Sequence, residues 1–105
     1  MDIKEALETI SDGHAIWRVG YAEEVCAALG VGFSEDLVQV YESDRHPLGV
    51  TMLHGPDRGV WSLDLARHVA ERLGVEGQAR EFRGRGSQAR EYARVVAEKL
   101  GQPVS

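Results

Sequence analysis

The residues best suited to chemistry lie near the C-terminus, in Phe82-Arg83-Gly84-Arg85-Gly86-Ser87. Glycine lets backbone N–H groups come close to a ligand, and the start of a helix offers unpaired donors and partial positive charge. Arg83 and Arg85 add full charges, and Arg80, Arg90 and Arg94 are close in sequence. Residues 78–94 hold five arginines against Glu81 and Glu91, a local net of +3. This pattern suits phosphate or another anion, and the expected contact set is Arg80, Arg83, Gly84, Arg85, Gly86, Ser87, Arg90 and Arg94. The spacing is neither a P-loop nor a dinucleotide fingerprint. A flexible turn beside a solvated basic face is the competing reading.

The opposite charge gathers at the other end. Residues 1–44 carry ten acids against Lys4 and Arg18, a net of −8, while residues 45–105 carry ten bases against seven acids, a net of +3. The pairs Glu23-Glu24 and Glu35-Asp36 could meet a basic protein partner and steer its approach. Helix-surface and first-turn roles explain them equally well.

Other chemistry is poorly supplied. The four histidines, His14, His46, His54 and His68, form no ligand pair at zinc spacing. Cys26 stands on the apolar face of its segment and reads as a buried structural thiol. No nucleophile–base pair or metal set is visible, so the chain leans away from an enzyme, and no cofactor is expected. Trp17 and Trp61 read as core or half-buried.

A helix-turn-helix is the second motif considered. Cys26-Ala27-Ala28-Leu29-Gly30-Val31 followed by Leu37 and Val40 has the small residue, turn glycine and later apolar pair of such a unit. With a hairpin after it, the unit would resemble a generic winged helix. Its second segment carries Glu35, Asp36, Glu42 and Asp44 with no base before Arg45, which would repel DNA phosphate. Leu73-Gly74-Val75 gives a second partial match, with Arg80 and Arg83 where apolar residues belong.

These residues need elements to hold them. Ile3, Ala6, Leu7 and Ile10 predict a helix over 2–10. Ala15, Val19, Ala22, Val25, Cys26 and Leu29 predict another over 15–29, ended by Gly30; Gly20 weakens its middle, which allows a start only near Tyr21. Residues 34–43 combine a strong helix start at Ser34-Glu35-Asp36 with strand-like Leu37-Val38-Gln39-Val40-Tyr41; the balance leans to helix. Val50-Thr51-Met52-Leu53-His54, a turn at Gly55-Pro56-Asp57-Arg58-Gly59, and Val60-Trp61 predict a hairpin over 49–61. Ser62 is expected to cap a helix over 63–73, and Ser87 a last helix running to Leu100. Residues 77–86 read as helix or as a short strand. The pattern A-x-x-V-x-x-x-L-G ends three of these segments, at Gly30, Gly74 and Gly101, without a fixed period.

The 105 residues make one domain, with 43% hydrophobic and 28% charged side chains. The expected fold is α+β: four or five helices around a small sheet containing the 49–61 hairpin. The alternative is a compact α/β arrangement with a three-stranded sheet, its strands near 37–42, 49–54 and 79–84. A single thiol, an N-terminus without a signal-like apolar stretch, and no apolar run near the ~20 residues of a membrane span point to the cytoplasm. The functional expectation is a non-catalytic binding or regulatory module contacting nucleic acid or another polyanion. The alternative is an acidic protein-interaction module, such as an inhibitor, immunity-type protein or adaptor, and a small enzyme is a weaker one. No membrane partner is expected, and a homodimer fits so small a regulator as a base rate.

Overall fold

A computed structural model describes residues 1–42 and 56–102. It is an α+β domain of four helices and one small antiparallel sheet, as the composition and periodicity imply. Helix α1 spans Ile3–Ser11, α2 Val19–Ala28, α3 Ser62–Arg72 and α4 Arg85–Lys99; the strands are β1 Ile16–Arg18, β2 Gln39–Glu42 and β3 Pro56–Trp61. The sheet order is β1-β3-β2, so β3 is central. Ile16 pairs with Trp61 and Trp17 with Val60, while Gly59 lies between Arg18 and Gln39.

The core forms where the helices meet the inner face of the sheet. Ala6, Ile10, Ala22, Val25, Val60, Leu65, Val69 and Val96 are fully enclosed. Each of the Ile, Val and Leu side chains among them contributes roughly 1.5–3 kcal/mol through burial. Two polar contacts join the layers: the buried Ser62 hydroxyl donates to the Thr9 carbonyl at 3.1 Å, and the Thr9 and Tyr21 hydroxyls are 2.9 Å apart. Among the described residues, no helix is long and apolar enough to cross a membrane.

The recurrent A-x-x-V-x-x-x-L-G pattern is a local stop signal. In all three copies the Ala and Val are buried, the Leu is the C-cap and the Gly has positive φ, at 78°, 75° and 71°. The residue after each glycine donates back to Cys26, Ala70 or Ala97, at 2.9 Å every time. That is the Schellman closure, which satisfies carbonyls a helix end would otherwise leave unpaired.

Several local expectations are corrected. Residues 16–18, expected to lie in the second helix, form β1, because Ile16 and Trp17 gain cross-strand partners in β3 and the helix starts only at Val19. The lean to helix at 34–43 fails. Ser34 does accept a hydrogen bond from the Asp36 amide at 3.3 Å, but the helix is one 3-10 turn, Glu35–Leu37, before the chain extends into β2. Pairing with the central strand outweighs a good N-cap there. The turn expected at 55–59 is also revised: Pro56-Asp57-Arg58-Gly59 belongs to β3 and pairs with β2. Pro56 is its first residue, a position where a missing N–H is tolerated. Residues 49–55, the rest of the expected hairpin, lie outside the described residues, as do His46 and His54.

The helix-turn-helix is absent at both places considered. Between α2 and Glu42 the chain forms one 3-10 turn and β2 but no second α-helix, and α3 and α4 are separated by residues 73–84. The strand proposed at 79–84 in the α/β alternative does not form either. Ser62 and Ser87 are not helix caps; Trp61 and Gly84 hold those positions. Ser62 is instead drawn into the core by its bond to Thr9. Gln88 holds the chain just ahead of α4 through the Phe82 amide and the Arg80 carbonyl, and the helix begins two residues before Ser87.

Candidate functional site

The segment before α4 is gripped by α4 itself. The Gln88 side chain accepts from the Phe82 amide at 2.7 Å and donates to the Arg80 carbonyl at 3.0 Å. Glu91 accepts from the Arg80 amide at 2.8 Å. Two residues of Gln88-Ala89-Arg90-Glu91-Tyr92 thus bind the backbone of Gln78-Ala79-Arg80-Glu81-Phe82, a stretch of the same pattern ten residues earlier.

Glu91 is also the sink for two of the five arginines. Its side chain is only 4% exposed and receives a two-pronged grip from Arg94 at 2.7 and 2.8 Å. The Arg80 guanidinium stands 3.6 Å away, and Arg94 reaches Glu98 at 2.7 Å. Hydrogen bonds from Arg94 are the main reason the Glu91 carboxyl is held down at about 2; burial opposes them and the Arg80 amide reinforces them. The same contacts raise the Arg94 guanidinium further above its ordinary value. Arg80 and Arg94 are therefore tied to the protein's own carboxylates.

Arg83, Arg85 and Arg90 are placed differently. All three are exposed, and among the described residues none has a carboxylate within ion-pair distance. Arg85 is the first residue of α4, with its guanidinium over the Trp61 ring, 4.6 Å from the centroid. Arg90 donates to the Ser87 hydroxyl at 3.3 Å. The first turn of α4 contains no acid, and its N-cap, Gly84, offers no side-chain acceptor. The helix start is thus electropositive through both its dipole and its side chains.

One neighbour escaped the sequence reading. Gly13 lets the loop after α1 approach so closely that a Cβ there would lie 2.8 Å from the Gly86 amide nitrogen. This close approach carries His14 to Gly86, where a Cβ would meet its Nε2 at 3.4 Å and Arg90 Nη1 at 3.3 Å. His14 is exposed and far away in sequence. The lone Gly13 after a helix end was the only hint of this approach.

The acidic alternative is less concentrated. Glu23 and Glu24 are exposed on α2. Glu35 is paired with Arg58 at 2.9 Å, and Asp36 lies in the 3-10 turn. Cys26 is buried, and desolvation, helped by Glu23, pushes its thiol up to about 11. His68 is bonded through Nε2 to the Gly32 carbonyl at 2.7 Å. Among the described residues, no group of three or more His, Cys, Asp or Glu is placed to hold a metal ion.

No protein-family model matches this chain, and no curated protein or solved structure is similar to it at a significant level.

Proposed function

We propose that this protein is a non-catalytic binding module that contacts nucleic acid through the start of α4. The observation that carries the reading is the set of three exposed arginines, Arg83, Arg85 and Arg90, without carboxylate partners among the described residues, around a helix start that has neither an acidic residue nor a side-chain cap. Phosphate supplies the negative charge this arrangement leaves unmatched. Gly84 is exposed beside this surface, Gly86 is buried beneath the loop that carries His14, and Ser87 and His14 add polar groups at the edge. Arg80 and Arg94 are paired with Glu91, and the Arg80 amide fixes its segment to α4 through the same carboxylate.

The test is retention of labelled nucleic acid by the purified protein at low salt. Replacing Arg83, Arg85 and Arg90 together with alanine should lower affinity by about tenfold or more, since each lost phosphate contact also removes a share of counterion release. Replacing Glu23 and Glu24 with glutamine should leave binding unchanged or slightly stronger. Retention indifferent to the three arginines would end the proposal. Loss of a protein partner on reversing Glu23 and Glu24 would favour the acidic-surface reading instead.

A further inference from the structure

We infer that the nucleic acid this site takes is single-stranded, and that one of its bases stacks on the Arg85–Trp61 pair. The inference rests on the reading of the α4 start as a nucleic-acid site and adds the form of the ligand.

The pleat of the sheet sorts the side chains of β1 and β3 between two faces. Residues directly opposite each other on antiparallel strands share a face. Trp17 and Val60 oppose each other, and both belong to the core side: Val60 is fully buried and Trp17 packs against the core cluster. Ile16 and Trp61 also oppose each other, so they occupy the other face. Neither joins the core cluster; Ile16 is 37% exposed and Trp61 is only half-buried. Arg18 lies two residues along on the same outer face and is exposed. The sheet thus turns an aromatic ring, a branched aliphatic and a cation away from the interior.

This outer patch and the α4 start form one surface. Arg85 spans them, its backbone opening the helix while its guanidinium lies over Trp61. The Ser62 amide donates to the Ala15 carbonyl at 2.9 Å, and the loop containing Gly13 and His14 abuts Arg85 and Gly86. Phosphate-binding groups and a stacking surface are therefore side by side.

That combination distinguishes ligands. A duplex buries the faces of its bases in its own stack and would use the arginines alone. A single strand exposes bases that can lie on an aromatic ring or on the plane of a guanidinium, at no cost in broken pairs. A free phosphate or an anionic peptide would leave Trp61 and Ile16 unused. Base stacking on aromatic side chains is tolerant of sequence, so the expected preference is for strandedness.

The experiment compares a fluorescein-labelled oligothymidine of about fifteen nucleotides, the upper range of a single small binding surface, with a mixed-sequence duplex of equal length. Anisotropy is measured for the intact protein and for Trp61→Ala, Trp61→Phe and the Arg83/Arg85/Arg90 triple alanine variant. The single strand should bind about tenfold or more tightly than the duplex. Trp61→Ala should lose about tenfold in single-strand affinity while duplex affinity stays unchanged, and Trp61→Phe should recover most of the loss. Should Trp61→Ala fail to fold, Trp17→Phe leaves Trp61 as the only indole, and its emission should be quenched by the oligothymidine but not by the duplex or by inorganic tripolyphosphate. Arginine-dependent binding with duplex equal to or better than single strand, or an unquenched Trp61, would overturn the inference and leave the nucleic-acid reading standing. Binding of neither nucleic acid would overturn both.

Discussion

Glu91 is a buried carboxylate whose partners come from two segments. Removing its charge should loosen α4 and the segment ahead of it together. Glu91→Gln is expected to cost about 1.5–3 kcal/mol at neutral pH, the range for hydrogen bonds to a charged group. Because the folded carboxyl is held at about 2, below the ordinary 4.5, folding favours the ionised form. Its stabilisation is complete above about pH 4.5 and is lost as pH falls through about 2. Urea titrations at several pH values should therefore show the gap between Glu91→Gln and the parent narrowing across that window; a gap independent of pH would contradict the assigned role. Cys26 gives a second check at this scale. With its thiol pushed up to about 11 and its side chain enclosed, labelling by a water-soluble thiol reagent at pH 8 should be at least about a hundredfold slower in the folded protein than in urea. Rapid labelling of the folded state would place this side chain at the surface.

Helix ends and loop approaches set the geometry at the next scale, and two glycines separate the effects. Gly13 has no room for a side chain: a Cβ would overlap the Arg85 carbonyl and crowd the Gly86 amide. Gly13→Ala should destabilise the protein by about 1–3 kcal/mol and weaken nucleic-acid binding, because it pushes the His14 loop off the α4 start. Gly20 lies in α2 with nothing within 4 Å of its would-be Cβ. Gly20→Ala should stabilise by up to about 1 kcal/mol, through helix propensity and a less flexible unfolded chain. Thermal melts of the two variants should move in opposite directions; shifts of the same sign would mean that the loop is not packed as described. The irregular segment over residues 80–82 belongs to this scale too. It has no strand partner, and side chains of α4 supply the hydrogen bonds a neighbouring strand would have given.

For the whole molecule, the net charge of −5 conceals an uneven distribution along the chain, −8 over residues 1–44 and +3 over residues 45–105. Polyanion binding by such a chain must be local, and its salt dependence should count only the arginines not already neutralised. With three phosphate contacts, the logarithm of single-strand affinity should fall against the logarithm of salt with a slope of about 2, and the triple alanine variant should abolish most of it. A slope of about 4 would mean that Arg80 and Arg94 leave Glu91 to join the ligand. The same division explains what was legible beforehand. The α+β class, the buried Cys26 and the three Leu-Gly helix stops follow from periodicity and φ preferences, which act over a few residues and are written locally. The strands at 16–18 and 56–59 were missed because partners distant in the chain decide them: Ile16 and Trp17 become strand only opposite β3. The basic segment could be read from composition, but the fate of each arginine could not. Charge counts give Arg80, Arg83, Arg85, Arg90 and Arg94 equal standing. Only the folded chain, by bringing Glu91 under two of them, Trp61 under a third and His14 beside Gly86, separates the cations paired with the protein's own carboxylates from those that are not.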